Sequence, residues 1–235
     1  MRALGVGVLG VVCALLIAGA RIDAAGRVVT FRAFDGRTIT GLLMEAGNRP
    51  APAVVLVPML GRPKDDWQSV AQRLADANIT ALAIDLPGLN LPSDQAALLR
   101  WHMEIRDAVA YLASRPADVR ANAIGIVGAS LGANLAAVAA AADPAVRSIA
   151  LVSPSLDYRG VRIETPMRQY GARSAMLMAS LHDPYAARSV RELVKDAPGP
   201  REMRWSETAG HGTVLLSRDQ DLVRSLVEWF QLTLG

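Results

Sequence analysis

One stretch of the sequence decides the fold: Ile124-Gly125-Ile126-Val127-Gly128-Ala129-Ser130-Leu131-Gly132. Its first four residues are apolar or small, which is typical of a strand buried in a sheet. The Ala-rich run at residues 131–142 that follows has helical spacing. Ser130 therefore stands at a sharp turn from strand to helix. Gly128 and Gly132, two positions before and after it, are the small residues that such a turn needs.

Strand and helix patterns alternate on both sides of this turn. Alternating polarity at residues 28–34 and 38–44, joined by Asp35-Gly36, predicts an antiparallel hairpin. Further strands are predicted at residues 53–57, 79–84, 123–127, 146–152, 174–179 and 201–206, and helices at residues 66–77, 96–114, 131–142, 184–195 and 219–232. Residues 153–173 show no clear period. Repeated strand-helix units imply a mainly parallel sheet with helices on both faces.

Composition limits the class of protein. The chain has 235 residues, of which 51% are hydrophobic and 20% charged, so it can bury one sizeable core. Its 25 basic and 22 acidic residues give a net charge of +3 and form no block of like charge. Aromatic residues make up only 5% of the chain, whereas proteins that bind nucleic acids cluster basic residues and add aromatics for stacking. We therefore expect no nucleic-acid partner.

The N-terminal segment differs from the rest. Arg2 precedes an apolar run at residues 4–20, and small residues follow at Ala24-Ala25, a pattern that predicts a signal peptide over residues 1–24 and a mature domain over residues 25–235. We expect an exported protein, periplasmic or secreted. The apolar run is close to the roughly 20 residues of a membrane span, so an uncleaved N-terminal anchor is the alternative, and without it we expect no stable membrane partner. Cleavage removes Cys13, the single cysteine, and leaves no disulfide.

The five residues Gly128-Ala129-Ser130-Leu131-Gly132 match the G-x-S-x-G pattern of a nucleophile elbow, with Ser130 as the nucleophile. The turn aims the amide of Leu131 and the N-terminus of the next helix at the place where an oxyanion would develop. The structural alternative is a glycine-rich turn in which Ser130 only caps a helix. The turn matches neither a G-x-G-x-x-G fingerprint nor a P-loop, which favours the nucleophile.

A serine nucleophile needs a base that removes its proton, and the chain has three histidines. His102 lies inside the predicted helix 96–114. His182 adjoins Asp183, and two adjacent side chains cannot easily both turn inward. His211 lies in Ala209-Gly210-His211-Gly212 after the last predicted strand, where the glycines let an imidazole reach over the serine. We therefore predict His211 as the base.

The acid that orients this base should lie on a strand end between the serine and the histidine. Asp183 meets both conditions, because it follows the strand at residues 174–179. Asp183 before Pro184 is also a good helix N-cap, which is its structural interpretation. Asp157 is the substitute candidate, since it follows the preceding strand at residues 146–152.

With these residues in place, the chain resembles the α/β-hydrolase superfamily, and within it the bacterial dienelactone-hydrolase-like and esterase-like members. The resemblance is carried by the segments Val54–Gly61 with Trp67, Ala83–Gly88, the elbow, Asp183-Pro184-Tyr185 and Gly210-His211-Gly212. It implies a three-layer α/β fold and a serine hydrolase that cleaves a small carboxylic ester through Ser130, Asp183 and His211. It implies no cofactor, and the sequence has no Cys/His cluster with which to bind a metal.

The resemblance also implies where the oxyanion hole lies. Relatives usually carry His-Gly after the strand equivalent to residues 53–57, and here Pro58-Met59-Leu60 stands in that place. Alignment gives the Leu60 amide as the second donor beside Leu131, with Met59 as the alternative if the register differs by one. Met59 in a glycine conformation would be strained. Asp85 is expected to organise its own loop.

Two further expectations concern the substrate. Residues 153–174 are too few for a large lid, so we expect a small or soluble acyl substrate, with Tyr158, Met167 and Tyr170 lining a small acyl pocket. The alternatives are a peptidase or thioesterase with the same three residues, or a binding protein with this fold and no activity, which the altered oxyanion loop favours.

Overall fold

The computed structural model describes residues 26–195 and 197–235. The predicted signal peptide or anchor at residues 1–24, including Cys13, lies outside the described residues. Within the two described ranges, no helix is both long and apolar enough to cross a membrane.

The described ranges contain ten strands and eight α-helices. The strands are β1 (Arg27–Arg32), β2 (Thr38–Met44), β3 (Ala51–Val57), β4 (Thr80–Ile84), β5 (Val119–Ala129), β6 (Val146–Val152), β7 (Asp157–Tyr158), β8 (Val161–Arg162), β9 (Ser174–Ser180) and β10 (Arg201–Ser206). The helices are α1 (Gln68–Asp76), α2 (Gln95–Arg100), α3 (His102–Ala113), α4 (Leu131–Ala142), α5 (Glu164–Tyr170), α6 (Pro184–Lys195), α7 (Gly212–Arg218) and α8 (Gln220–Leu234).

Eight of the strands form one sheet in the order β1-β2-β4-β3-β5-β6-β9-β10. β1 pairs antiparallel with β2, and β2 pairs antiparallel with β4. Every later pairing, from β4 across to β10, is parallel. The carboxyl ends of six neighbouring strands therefore lie on one edge of the sheet, which is where open α/β sheets bind their ligands.

Helices cover both faces of the sheet and bury a separate apolar cluster on each. One cluster joins the sheet to α2, α3, α4 and α6 and includes Ile105, Leu135 and Val190. The other joins it to α1, α7 and α8 and includes Leu74 and Phe230. The predicted three-layer α/β architecture with an antiparallel hairpin at its N-terminal side is confirmed.

The structure differs from the predicted pattern at three places. The predicted helix 96–114 is two helices, because the amide of Trp101 bonds to the carbonyl of Leu98, three residues back, and tightens the chain between them. Residues 153–173 hold the β7–β8 hairpin and α5. Residues 212–218, next to the glycines around His211, form α7, which packing of Leu215 against the core stabilises.

Candidate active site

Ser130 lies at the turn between β5 and α4 with φ 53° and ψ −119°, a strained conformation for a residue with a side chain. Its amide donates to the carbonyl of Val152 on β6, 2.9 Å away, which holds the turn to the sheet. A Cβ atom on Gly128 would overlap the backbone of Gly132, and one on Gly132 would overlap the carbonyl oxygen of Pro58. Only glycine fits at either position.

Ser130, His211 and Asp183 form one hydrogen-bonded chain across three strand ends. His211 Nε2 lies 2.8 Å from Ser130 Oγ, and His211 Nδ1 lies 2.5 Å from Asp183 Oδ2. With the proton assigned to Nδ1, His211 donates to the carboxylate and accepts from the serine hydroxyl. Ser130 is 8% exposed, whereas the His211 side chain is 49% exposed. The hydrogen bonds thus link the buried hydroxyl of Ser130 to an imidazole, that of His211, which solvent reaches.

Asp183 combines the two interpretations that the sequence offers. Its Oδ1 accepts from the amide of Ala186, 3.1 Å away, as an N-cap of α6 does, while its Oδ2 faces His211. Capping fixes the carboxylate on the rigid end of a helix, which also orients it toward the imidazole. The capping role therefore supports the contact with His211 rather than competing with it.

The other candidates lie elsewhere. The Asp157 carboxylate accepts from the amide of Gly160 at 2.5 Å and from Arg162 Nε at 2.8 Å, so it closes the β7–β8 hairpin. The Arg162 hydrogen bond holds the pKa of Asp157 below its usual value. His102 Nδ1, at the start of α3, contacts the carbonyl of Leu99 in α2 at 2.6 Å. His182 is exposed, as its position beside Asp183 predicts.

Three serines that the sequence analysis missed hold the loop that carries His211. The buried Ser153, one residue past β6, accepts the Gly212 amide on Oγ at 3.0 Å. Ser180 Oγ donates to the Thr208 carbonyl at 2.7 Å, and Ser206 Oγ accepts the Thr208 amide at 3.0 Å. All three lie at strand ends. A serine hydroxyl can both donate and accept a hydrogen bond, so it can bind the backbone of the loop at residues 208–212. The available signal was an apolar run before Ser153 and Ser180, whereas the residues before Ser206 are of mixed polarity.

The Pro58-Met59-Leu60 loop forms a turn in which the Arg62 amide donates to the Met59 carbonyl at 3.2 Å. The positive φ of this turn falls on Gly61, at 72°. Among the described residues other than glycine, positive φ occurs at Asn78, Ser130, Ser153 and Arg159. The expected strain at Met59 is therefore not found, because Gly61 takes the conformation that requires glycine.

The expected donors of the oxyanion hole are the amides of Leu60 and Leu131. Over residues 26–195 and 197–235, no intramolecular hydrogen bond uses the amide of Leu60 or of Leu131. Asp85, expected to organise its own loop, instead accepts the amide of Lys64 at 2.8 Å and pairs with the Lys64 ammonium group at 3.1 Å. This contact holds the chain that leaves the turn.

The expected acyl pocket is wrong at two of its three residues. Tyr170 is 1% exposed, its hydroxyl donates to the Ser174 carbonyl at 2.9 Å, and Arg173 stacks 4.0 Å from its ring centre. Burial raises the pKa of Tyr170 far above its usual value. Met167 is also buried, and both residues belong to the core. Tyr158 is half-buried in the β7–β8 hairpin.

Within the ranges that the structure describes, no group of three or more His, Cys, Asp or Glu side chains lies close enough to bind a metal ion.

A sequence model of the alpha/beta hydrolase family matches residues 54–233, which include all three residues of the hydrogen-bonded chain. The chain belongs to this family. The predicted resemblance is confirmed. A curated relative, the thiohydrolase apmlB of Arthrinium phaeospermum, is 30% identical over 132 residues, which are 54% of this chain and 42% of that protein. The chain thus spans less than half the length of that relative.

Solved alpha/beta hydrolase structures share the fold across almost the whole described chain. DcsB, solved in complex with its substrate analogue, has a TM-score of 0.77 at 14% identity, covering 89% of this chain and 99% of that one. Dienelactone hydrolase from Anabaena variabilis has a TM-score of 0.74 at 17% identity, covering 89% and 98%. The thermostable carboxylesterase EstE1, from a metagenomic library, has a TM-score of 0.70 at 18% identity, covering 91% and 90%.

The bond between Ser153 and Gly212 makes a testable contribution to stability. Ser153→Ala should lower the free energy of unfolding by about 1–2 kcal/mol, because the buried Gly212 amide loses its acceptor. Ser155→Ala is the matched control, since its buried Oγ has no hydrogen-bond partner among the described residues and its loss should change stability by less than about 0.5 kcal/mol. Urea unfolding of both variants measures the difference, and equal losses would contradict the role given to Ser153.

Proposed function

We propose that this protein is a serine hydrolase that cleaves a small carboxylic ester through an acyl-enzyme formed on Ser130. The observation that supports the proposal is the hydrogen-bonded chain from Ser130 Oγ through His211 to Asp183, at 2.8 Å and 2.5 Å. These distances allow proton transfer between serine and imidazole, and the carboxylate orients and stabilises the imidazolium.

The first half of the reaction acylates the enzyme. Ser130 Oγ attacks the ester carbonyl carbon while its proton moves to His211 Nε2. The carbonyl oxygen becomes an oxyanion that the amides of Leu131 and Leu60 bind, each donor contributing about 3 kcal/mol to the transition state. The intermediate then collapses, the C–O bond breaks, and the leaving alkoxide takes the proton from His211.

The second half releases the acid. His211 removes a proton from water, the resulting hydroxide attacks the acyl carbon, and Ser130 leaves with its proton restored. Half-exposure of the His211 side chain suits this step, because water reaches the imidazole directly. The strained φ of Ser130 presents the hydroxyl at the sheet edge for the attack.

A thioester substrate is the second candidate, and the named thiohydrolase relative favours it. The same three residues serve both substrates, because only the leaving atom differs. Oxygen esters and thioesters of one acyl group, compared by kcat/KM, separate the two. We expect faster turnover of the oxygen ester, and a thioester preference of tenfold or more would establish the second candidate instead.

The nucleophile is tested with a fluorophosphonate probe and with p-nitrophenyl acetate. We expect the wild type to be labelled on Ser130, and Ser130→Ala to lose labelling and to lower kcat on the order of 10⁶-fold. Ser155→Ala, which removes a buried hydroxyl outside the hydrogen-bonded chain, should keep both activities. A wild type that takes no label and turns over no ester would leave the non-catalytic binding protein as the better hypothesis.

The acid is tested by comparing two carboxylates. Asp183→Asn should lower kcat about 10⁴-fold, because the amide favours the wrong histidine tautomer. Asp157→Asn should cost far less, since that carboxylate bonds to Gly160 and Arg162 within the hairpin. The opposite ranking of the two variants in kcat on p-nitrophenyl acetate would assign the acid to Asp157.

A further inference from the structure

A ring of contacts surrounds Ser130 at the carboxyl edge of the sheet. In the turn at residues 58–62, a Cβ atom built on Gly61 would lie 3.4 Å from the carbonyl oxygen of Leu89. The loop after β4 therefore packs against this turn. The start of α2 then reaches the β7–β8 hairpin, where the Gln95 side chain occupies the space beside Gly160. The loops that follow β3, β4 and β6 therefore touch one another in sequence.

The ring closes on the other side of the serine. The hydroxyl of Tyr185, in the first turn of α6, donates to the Asp157 carbonyl at 3.2 Å. Two residues before it, Asp183 contacts His211, and the sulfur of Met59 packs against Gly212. The loop at residues 58–61 is thus both the first and the last member of the ring, and the loops that form the ring all follow strands at the carboxyl edge of the sheet.

Five half-buried apolar side chains belong to this ring and form what we term the apolar strip: Leu60, Leu86, Leu91, Leu156 and Tyr158. They follow β3, β4 and β6, the strands that lie on both sides of β5 in the sheet. All five pack on the cluster that includes α3 and α4, whereas α7, which begins beside His211, packs on the opposite face. The base therefore approaches Ser130 from one face and the apolar strip from the other.

Charged side chains near the strip are largely neutralised by partners. Asp157 pairs with Arg162 at 2.8 Å, Lys64 pairs with Asp85 at 3.1 Å, and Arg62 pairs with Asp66 at 2.6 Å. Arg159, exposed at the tip of the β7–β8 hairpin, is the one cation of that hairpin outside these pairs. An anionic acyl group would need a cation of this kind, whereas an apolar one needs only the strip.

We propose that the apolar strip binds the acyl group of the substrate and that this group is a neutral hydrocarbon chain. The inference rests on the proposed function, since it concerns the ester bound at Ser130. With the carbonyl carbon at Ser130 Oγ and its oxygen at the amides of Leu60 and Leu131, the leaving group lies toward His211, which must protonate it. The acyl chain then points away from the imidazole, onto the face that carries the strip.

The test is a series of p-nitrophenyl esters from acetate to hexanoate. Each methylene that enters the strip should raise kcat/KM by up to about fourfold in the wild type. Leu91→Ser and Leu156→Ser, one on each side of Ser130, should each lower the ratio of hexanoate to acetate kcat/KM by at least tenfold. The ratio is insensitive to loss of folded enzyme, because both esters are measured on one sample. Leu232→Ser, at an exposed position of α8, is the control and should leave the ratio unchanged.

The outcomes separate this inference from the proposed function. Ser130-dependent turnover with no rise along the series, or with a ratio that both variants leave unchanged, would overturn the strip and keep the serine hydrolase. A wild-type preference for the p-nitrophenyl ester of succinic acid monoanion that Arg159→Ala abolishes would overturn it in favour of an anionic acyl group. No labelling by fluorophosphonate and no turnover of any ester would overturn both proposals.

Discussion

The close approach of Gly128 to Gly132 is the contact on which the rest of the site depends. It lets β5 turn into α4 within one residue, and it forces Ser130 into a positive φ that a longer turn would not need. The amide of Ser130 bonds to Val152 on the neighbouring strand, so the strained residue is held by the sheet. Strain of this kind persists only where surrounding structure fixes it, and here two packed elements do so.

The loops around this turn are held by short polar side chains on packed elements. Ser153 binds the loop of the histidine at Gly212, and Asn134 on α4 donates to the carbonyls of Ser155 and Val161 at 2.9 and 2.8 Å. Asn134 also accepts the Ser155 amide at 3.1 Å and is fully buried. The helix that begins at the nucleophile thus fixes the segment that leads to the apolar strip. The half-exposed imidazole of His211 can be well positioned because hydrogen bonds hold the backbone on either side of it, at Thr208 and at Gly212.

The sequence predicted the architecture well because apolar runs and helical spacing repeat with little interruption from β3 to α8. It predicted Ser130, His211 and Asp183 as neighbours because few acids and histidines follow a strand in the required order along the sequence, and because glycines flank His211. It missed Ser153 and Ser180, because an apolar run before a serine does not indicate a partner 59 or 28 residues away. It also missed Ser206, which no apolar run precedes and whose partner Thr208 lies two residues further along the chain. Tyr170 was misplaced for a related reason: a tyrosine in an aperiodic segment gives no sign that two arginines enclose it.

The loop opposite the serine shows how a departure from the family pattern can keep the same geometry. An oxyanion hole made of backbone amides depends on how the backbone is oriented and not on which side chains it carries. Here Gly61 takes the positive φ with which the backbone turns. With that conformation placed at residue 61, position 59 is free to carry a large side chain. The Met59 side chain packs against Gly212, so closely that a Cβ atom on Gly212 would overlap the Met59 sulfur. The loop with the expected oxyanion donors and the loop with His211 therefore constrain each other, because neither can shift without losing this contact.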